Sequence, residues 1–161
     1  MNAGQRILRT CGAARIGGLV WRIIDCCTRE ILGWRLSDSS KTAEAALEEA
    51  LIYRLGALGR VQQPLALRSD NGLVFSSRHY KGTVKAYGLI QEFTMPYTPE
   101  QNGLVERFFR SLKEECIWLH RFESLGQARA VIDRWIRYYN EERPHQSLDY
   151  VAPRAHPALA A

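Results

Sequence analysis

The chain has 161 residues, 46% of them hydrophobic and 24% charged, which is typical of one soluble globular domain with its own core. A formal net charge of +5 favours a polyanionic partner. No apolar run approaches the ~20 residues that a membrane helix needs, and no secretory signal is visible, so a cytoplasmic protein without a membrane partner is expected. None of the four cysteines forms a zinc-type pair, and buried free thiols are expected.

The predicted elements begin with two strands. Residues 1–16 contain no acidic residue and show no clear periodicity, and Gly17-Gly18 then interrupts the chain. Residues 19–24 and 30–36 predict a hairpin. The further elements are a helix near 41–55 with Ser39 or Ser40 as its cap, a strand at 65–67, a helix at 76–87, a strand at 89–93, and helices at about 100–118 and 124–140.

This order of elements predicts an α/β fold in which helices cover a mixed sheet. The chain offers only about four strands, which is few for its length. We therefore expect a strand to be missing at the N-terminal edge of the sheet.

Two acidic residues mark the candidate site. Asp70 follows a buried strand in the sequence Asp70-Asn71-Gly72, and Glu106 lies near the start of a helix. Hard divalent cations prefer carboxylate ligands, and two such ions clamp the oxygens of an in-line phosphoryl transfer. We therefore predict that Asp70 and Glu106 hold metal against a phosphodiester. Taken singly, Asp70 also suits an ordinary turn, and Glu106 an ion pair with Arg110.

Basic and polar groups surround these two carboxylates. Lys113 lies about 20° from the helix face of Glu106, and Arg110 lies between them, which suits a phosphate backbone along the helix. The backbone amides of the loop that includes Asn102 are available to a phosphate at the start of the helix. The four histidines show no spacing typical of a metal site or a catalytic triad.

Several segments together resemble the retroviral-integrase-like catalytic core, most closely the transposases of bacterial insertion sequences. They are IDCCTREILGW at 24–34, SDNG at 69–72, PYTPEQNGLVER at 96–107, Lys113, YN at 139–140 and RPHQSL at 143–148. The resemblance divides the chain into a degenerate N-terminal segment at 1–18, an integrase core at 19–154 and a tail at 155–161.

The resemblance implies a ribonuclease-H-like mixed sheet flanked by helices and a triad of carboxylates that binds two Mg²⁺ or Mn²⁺ ions. Asp70 matches the second carboxylate of the triad and Glu106 the third. Lys113 matches a position that contacts DNA, and Arg110 and Asn102 are expected to bind DNA beside it. The implied partners are DNA, at the ends of the element and in the target, and further copies of the chain.

The chain departs from the family at the first strand. The first aspartate of the family stands there in a Trp-x-x-Asp-x-Thr context, whereas no acidic residue precedes Asp25 in this chain. Asp25 matches an aspartate of the second strand that is not a metal ligand in the family, and a substitute role for it stays open. We expect a truncated core whose first strand is missing or degenerate, and which is nearly inactive in strand transfer.

Two alternatives remain open at this point. One is a non-catalytic remnant that binds nucleic acid or dimerises, and the other is a ribonuclease-H-type nuclease without transposition. Metal-dependent cleavage through Asp70 and Glu106 separates an active core from a remnant. Cleavage of an RNA–DNA hybrid would favour the nuclease.

Overall fold

The computed structural model of the chain describes residues 6–15, 19–37, 42–56, 59–95 and 103–157. Within these ranges, helices pack on both faces of a five-stranded mixed sheet. The strands are β1 (Arg6–Arg15), β2 (Leu19–Asp25), β3 (Ile31–Ser37), β4 (Leu65–Ser69) and β5 (Ile90–Phe93). The helices are α1 (Thr42–Leu55), α2 (Leu73–Ser76), α3 (Arg78–Ala86), α4 (Gly103–Glu115) and α5 (Leu125–Glu141).

The sheet has the strand order β3-β2-β1-β4-β5, with β1 at its centre. β1 pairs antiparallel with β2 and parallel with β4, and β4 pairs parallel with β5. The predicted mixed sheet is therefore confirmed. The expectation that the first strand is missing is wrong, because residues 6–15 form that strand. Backbone hydrogen bonds to β2 and β4 stabilise this strand, although its side chains have little preference for a strand conformation.

The alternation of side chains along β2 builds a separate core on each face of the sheet. Val20 and Ile24 belong to the core under α4 and α5, together with Phe108, Leu112, Ile132 and Trp135. Trp21 and Ile23 belong to the opposite core under α1 and α3, together with Leu47, Leu51 and Tyr80. A strand buried on both faces is expected at the interior of a sheet flanked by helices.

The helices follow the predicted pattern with small shifts at their ends. The Ser77 hydroxyl accepts a hydrogen bond from the Tyr80 amide at 3.2 Å and caps α3, and Ser124 caps α5 in the same way. The short helix α2 was not predicted. The expected caps Ser39 and Ser40 lie outside the described residues, as does most of the loop before α4.

The cysteines differ in part from the expectation of buried thiols. Cys116 is buried, whereas Cys27 is exposed in the turn after β2 and Cys26 is half-buried there. Of the helices that the structure describes, none combines the length and the apolar character required to cross a membrane.

Gly33 is the point of closest approach between β3 and α1. A Cβ atom at this position would overlap the carbonyl oxygen of Ala46 and lie 2.8 Å from the backbone nitrogen of Ala50. Both are atoms of the helix backbone, so neither moves without shifting the helix. Only glycine allows the two elements to pack this closely.

We expect Gly33→Ala to lower the free energy of unfolding by about 1–3 kcal/mol, because the added methyl group forces α1 away from the sheet. The control is Gly82→Ala in α3, where a Cβ atom meets nothing within 4 Å and the higher helix propensity of alanine adds up to about 1 kcal/mol. Urea denaturation of both variants measures the difference. Equal effects at the two glycines would show that the close approach is not there.

Candidate active site and basic cleft

Asp70 lies half-buried in the loop that joins β4 to α2. Its Oδ1 atom accepts a hydrogen bond from the Gly72 amide at 2.8 Å, which is the turn that the sequence suggested. The neighbouring Asn71 side chain donates to the Thr94 carbonyl at 3.0 Å and fastens the loop to the end of β5. The turn and the carboxylate are therefore parts of one fixed loop.

Glu106 is exposed in the first turn of α4. The opposite face of the helix is buried in the core. Arg110 donates to Glu114 at 2.8 Å. Arg110 therefore pairs with Glu114 and not with Glu106, the partner that the alternative role of Glu106 required. Lys113 is half-buried on the same flank as Glu106, and Asn102 lies outside the described residues.

The two carboxylates come from elements close to the centre of the sheet. α4 contacts β1, and β1 is the neighbour of β4, whose end carries Asp70. In the ranges that the structure describes, no group of three or more histidine, cysteine, aspartate and glutamate side chains is placed to hold a metal ion. Asp70 and Glu106 stay a predicted pair of ligands.

Asp25 has a structural role at the end of β2. It is only 1% exposed, and its Oδ2 atom lies 2.7 Å from the Arg54 guanidinium of α1. Its Oδ1 atom accepts hydrogen bonds from the amides of Cys27 at 2.8 Å and Thr28 at 3.3 Å. These contacts fix the β2–β3 turn.

The register of the sheet also separates Asp25 from Asp70. Asp25 pairs with Leu8, and Leu8 pairs with Leu67, three residues before Asp70. Asp25 is therefore two strands away and about 10 Å further back along the strand direction. The structure does not bring Asp25 to Asp70, so the substitute role left open for it gains no support.

The same register identifies the position on β1 that is level with Asp70. Arg9 pairs with Arg68 at the end of the ladder between these strands, so Cys11 is the β1 residue that an extension of this register by two residues would set level with Asp70 in the loop after β4. Cys11 pairs with Arg22 on its other side. The strand thus presents no carboxylate at the position next to Asp70, and the neighbouring strand contributes an arginine there.

Arg22 is completely buried beneath α4. Its guanidinium carbon lies 4.3 Å from the centre of the Phe108 ring and 5.1 Å from that of Phe109. A cation over aromatic faces is a favourable arrangement, and here it adds a fixed positive charge on the α4 side of the sheet. The charge of Arg22, the one polar residue in the apolar run at 19–24, gave no sign in the sequence that its side chain is buried.

A cleft of about 770 Å³ opens on the other flank of α4. It runs between that helix, the β2–β3 turn, β4 and the segment after α5. Its lining includes four arginines, which are Arg29, Arg68, Arg107 and Arg143. Among the residues that the structure describes, no aspartate or glutamate lines it. The sequence analysis did not predict this cleft, although residues of the YN and RPHQSL segments line it.

Arg143 is held rigidly at the wall of the cleft. Its guanidinium donates to both carboxylate oxygens of Glu115, at 2.6 and 2.9 Å, and to the Ser111 hydroxyl at 3.1 Å. Arg68 donates to Glu92 at 3.0 Å. Within the described part of the chain, Arg29 and Arg107 have no carboxylate partner. Their charges are therefore available to a ligand.

His145 packs edge-on against Tyr139 next to Arg143, with 4.6 Å between the two ring centres. Burial of the ring, and then the positive charge of Arg143, lower the pKa of His145 from 6.5 to about 4. The charge of Arg29 acts in the same direction. The imidazole is therefore neutral at pH 7.

Comparison with known proteins gives consistent matches. Two models described as "Integrase core domain" match residues 18–99 and 87–153. The chain is 32% identical over 136 residues to an uncharacterized protein of insertion element IS136 of Agrobacterium fabrum, covering 82% of this chain and 69% of that protein. It is 30% identical over 132 residues to the transposase for insertion sequence element IS904 of Lactococcus lactis, covering 81% of this chain and 51% of the transposase.

Solved structures match at the level of the fold. The catalytic core domain of BIV integrase superposes with a TM-score of 0.67 at 16% identity, over 96% of this chain and 95% of that one. A chain of a simian T-cell lymphotropic virus intasome gives 0.70 at 14% identity, over 93% of this chain and 53% of that one. The chain spans 26%, 38% and 51% of the length of three of its curated relatives. The ribonuclease-H-like fold expected from the sequence is confirmed.

The structural role of Asp25 predicts a large loss of stability in Asp25→Asn. Removal of one partner of a buried ion pair costs about 3 kcal/mol, because Arg54 keeps a charge that the interior no longer compensates. The control is Asp133→Asn, which breaks an exposed pair with Arg137 and costs less than about 1 kcal/mol. Urea denaturation compares them, and equal losses would contradict the structural role.

The depressed pKa of His145 predicts a pH dependence of stability. The folded state prefers the neutral ring, so this contribution is complete above the ordinary pKa of 6.5 and is lost as the pH falls towards about 4. We expect His145→Phe, which keeps an aromatic ring against Tyr139, to flatten the fall in unfolding free energy over this range. The change is about 1–2 kcal/mol after allowance for solvent screening. Parallel slopes for the two proteins between pH 7 and 4 would exclude the effect.

Proposed function

The chain belongs to the integrase core domain family, and from this membership we propose that it is the core of an insertion-sequence transposase that acts on DNA by phosphoryl transfer. Asp70 and Glu106 hold the divalent metal in this proposal. The observation that carries it is the placement of these two carboxylates, on the loop after β4 and in the first turn of α4, on elements that adjoin the central strand. The proposed partners are DNA, at element ends and in the target, and further copies of the chain.

The two proposed ligands are carboxylates, which suit a divalent ion, but they are one fewer than the three carboxylates that the resemblance implies. Oxygen donors suit Mg²⁺ or Mn²⁺, and such an ion supplies charge stabilisation to a phosphoryl group when bound. The Gly72 amide holds Asp70 in its turn and Glu106 is exposed on α4, and both observations support these two residues as the proposed ligands. The position on β1 beside Asp70 is Cys11 in place of a carboxylate.

Impaired catalysis follows from this shortfall. Positioning and charge stabilisation provide nearly all of the rate in phosphoryl transfer. Two carboxylates orient the reacting groups less well than three. Lys113 and Arg110 remain on the Glu106 flank of α4 to contact the DNA backbone. The chain therefore binds DNA and has little strand-transfer activity in this proposal.

We expect the wild-type chain to nick supercoiled plasmid at close to background rate in Mn²⁺. Cys11→Asp combined with Arg22→Met supplies the carboxylate on β1 and removes the cation that would otherwise pair with it. This double variant should raise the rate of nicking at least tenfold, because it completes the donor set. Gel electrophoresis measures the nicked fraction.

Further variants make the test specific. Asp70→Asn or Glu106→Gln added to the double variant returns nicking to background, and Asp133→Asn leaves it unchanged. Strong nicking by the wild-type chain that Asp70→Asn abolishes would overturn the impairment. Failure of calorimetry to detect Mn²⁺ binding to the double variant would overturn the metal site. Cleavage of an RNA–DNA hybrid but not of plasmid would favour the nuclease alternative.

A further inference from the structure

The cleft lies on a different flank of α4 from the proposed catalytic pair. Arg107 and Ser111 face the cleft, and Glu106 and Lys113 lie about 130° away around the helix axis. None of the residues to which the proposed function assigns metal or duplex DNA lines the cleft.

The charges of the cleft select an anion with more than one negative group. Arg29 stands at the β2–β3 turn and Arg107 on α4, so the two arginines without carboxylate partners come from opposite walls. Arg143, which Glu115 and Ser111 hold in place, adds a fixed guanidinium from the segment after α5. Guanidinium groups bind phosphate by paired hydrogen bonds, and spaced guanidiniums suit successive phosphates.

The cleft also offers an aromatic surface. Tyr150 lines it and is 69% exposed, which is unusual for a large aromatic side chain in a folded domain. Its backbone has a positive φ of 63°, as has Asp149 before it at 53°, so the turn is shaped to present this residue. An exposed ring beside arginines is the arrangement that stacks an unpaired base next to a bound backbone.

We propose that this cleft binds a single-stranded segment of nucleic acid, with its phosphates on Arg29, Arg107 and Arg143 and a base stacked on Tyr150. A volume of about 770 Å³ is within the range of small-ligand pockets and is large enough for an unpaired base beside its phosphates. The inference deepens the proposed function and rests on it for the class of partner. It gives the chain a metal-independent binding surface separate from Asp70 and Glu106.

The test is fluorescence anisotropy with a labelled twelve-residue oligo-dT and with a duplex of equal length, in EDTA and at several NaCl concentrations. We expect Arg107→Ala to weaken oligo-dT binding about fivefold or more and to reduce the salt slope by about 0.7, the value for one phosphate contact on a single strand. The matched control Arg134→Ala removes an exposed arginine from α5 outside the cleft and leaves binding unchanged.

Tyr150 gives an independent test. Tyr150→Ala should weaken oligo-dT binding at least fivefold, whereas Tyr150→Phe, which keeps the ring, should bind as the wild-type chain does. Equal affinities of Arg107→Ala and Arg134→Ala for oligo-dT would overturn the proposal, as would binding of duplex alone. Displacement of oligo-dT by poly-glutamate at equal charge would also overturn it, because an acidic protein would then be the better partner.

Because EDTA removes metal, these outcomes do not depend on the proposed active site. A cleft that binds oligo-dT in a chain whose double variant never nicks plasmid would leave this inference standing and the catalytic proposal overturned. Nicking of plasmid by the double variant, in a chain that does not bind oligo-dT, would leave the catalytic proposal standing and overturn this inference.

Discussion

Two carboxylates buried at the β2–β3 turn hold together parts of the chain that are far apart in sequence. Arg54 of α1 reaches Asp25 at 2.7 Å and Glu30 at 3.5 Å. Glu30 also accepts hydrogen bonds from the Tyr53 hydroxyl at 2.8 Å and from Arg154 at 3.1 Å. Charges this deeply buried are tolerated only when they are paired and hydrogen-bonded. The turn therefore fixes α1 and the segment after α5 in one network.

The position of the cleft follows from that network. Asn140, at the end of α5, donates to the Ile31 carbonyl and accepts from the Ile31 amide, both at 2.9 Å, which ties α5 to the start of β3. Arg154 holds the other end of the following segment at Glu30 and Glu141. The chain between these two anchors has to lie across α4, and this is how Arg143 comes to stand beside that helix. Ion pairs at the turn thus shape a surface more than ten residues away from them in the chain.

The sequence predicted the elements whose signals are local. Periodic apolar residues and serine caps located the helices, and a short apolar run located β4 and hence Asp70. β1 was missed because its segment is basic and glycine-bearing, and its pairing partners on both edges provide the stabilisation that its composition does not. The burial of Arg22 and the convergence of arginines on the cleft depend on tertiary contacts between distant elements. The spacing of residues in the sequence does not contain that information, so the cleft could not be predicted from it.

Fold and chemistry depend on different features of β1. Pairing uses the backbone, which every residue supplies, so the central strand forms with Cys11 beside Asp70 as readily as with an acid there. The proposed phosphoryl transfer would use an acidic side chain at that position, and no hydrogen bond of the sheet replaces it. A chain of this family therefore keeps its sheet, its two cores and its basic surfaces when the acid is absent. On this physical ground, the two proposed properties, nucleic-acid binding in the cleft and phosphoryl transfer at Asp70 and Glu106, are separable, because they use different flanks of α4.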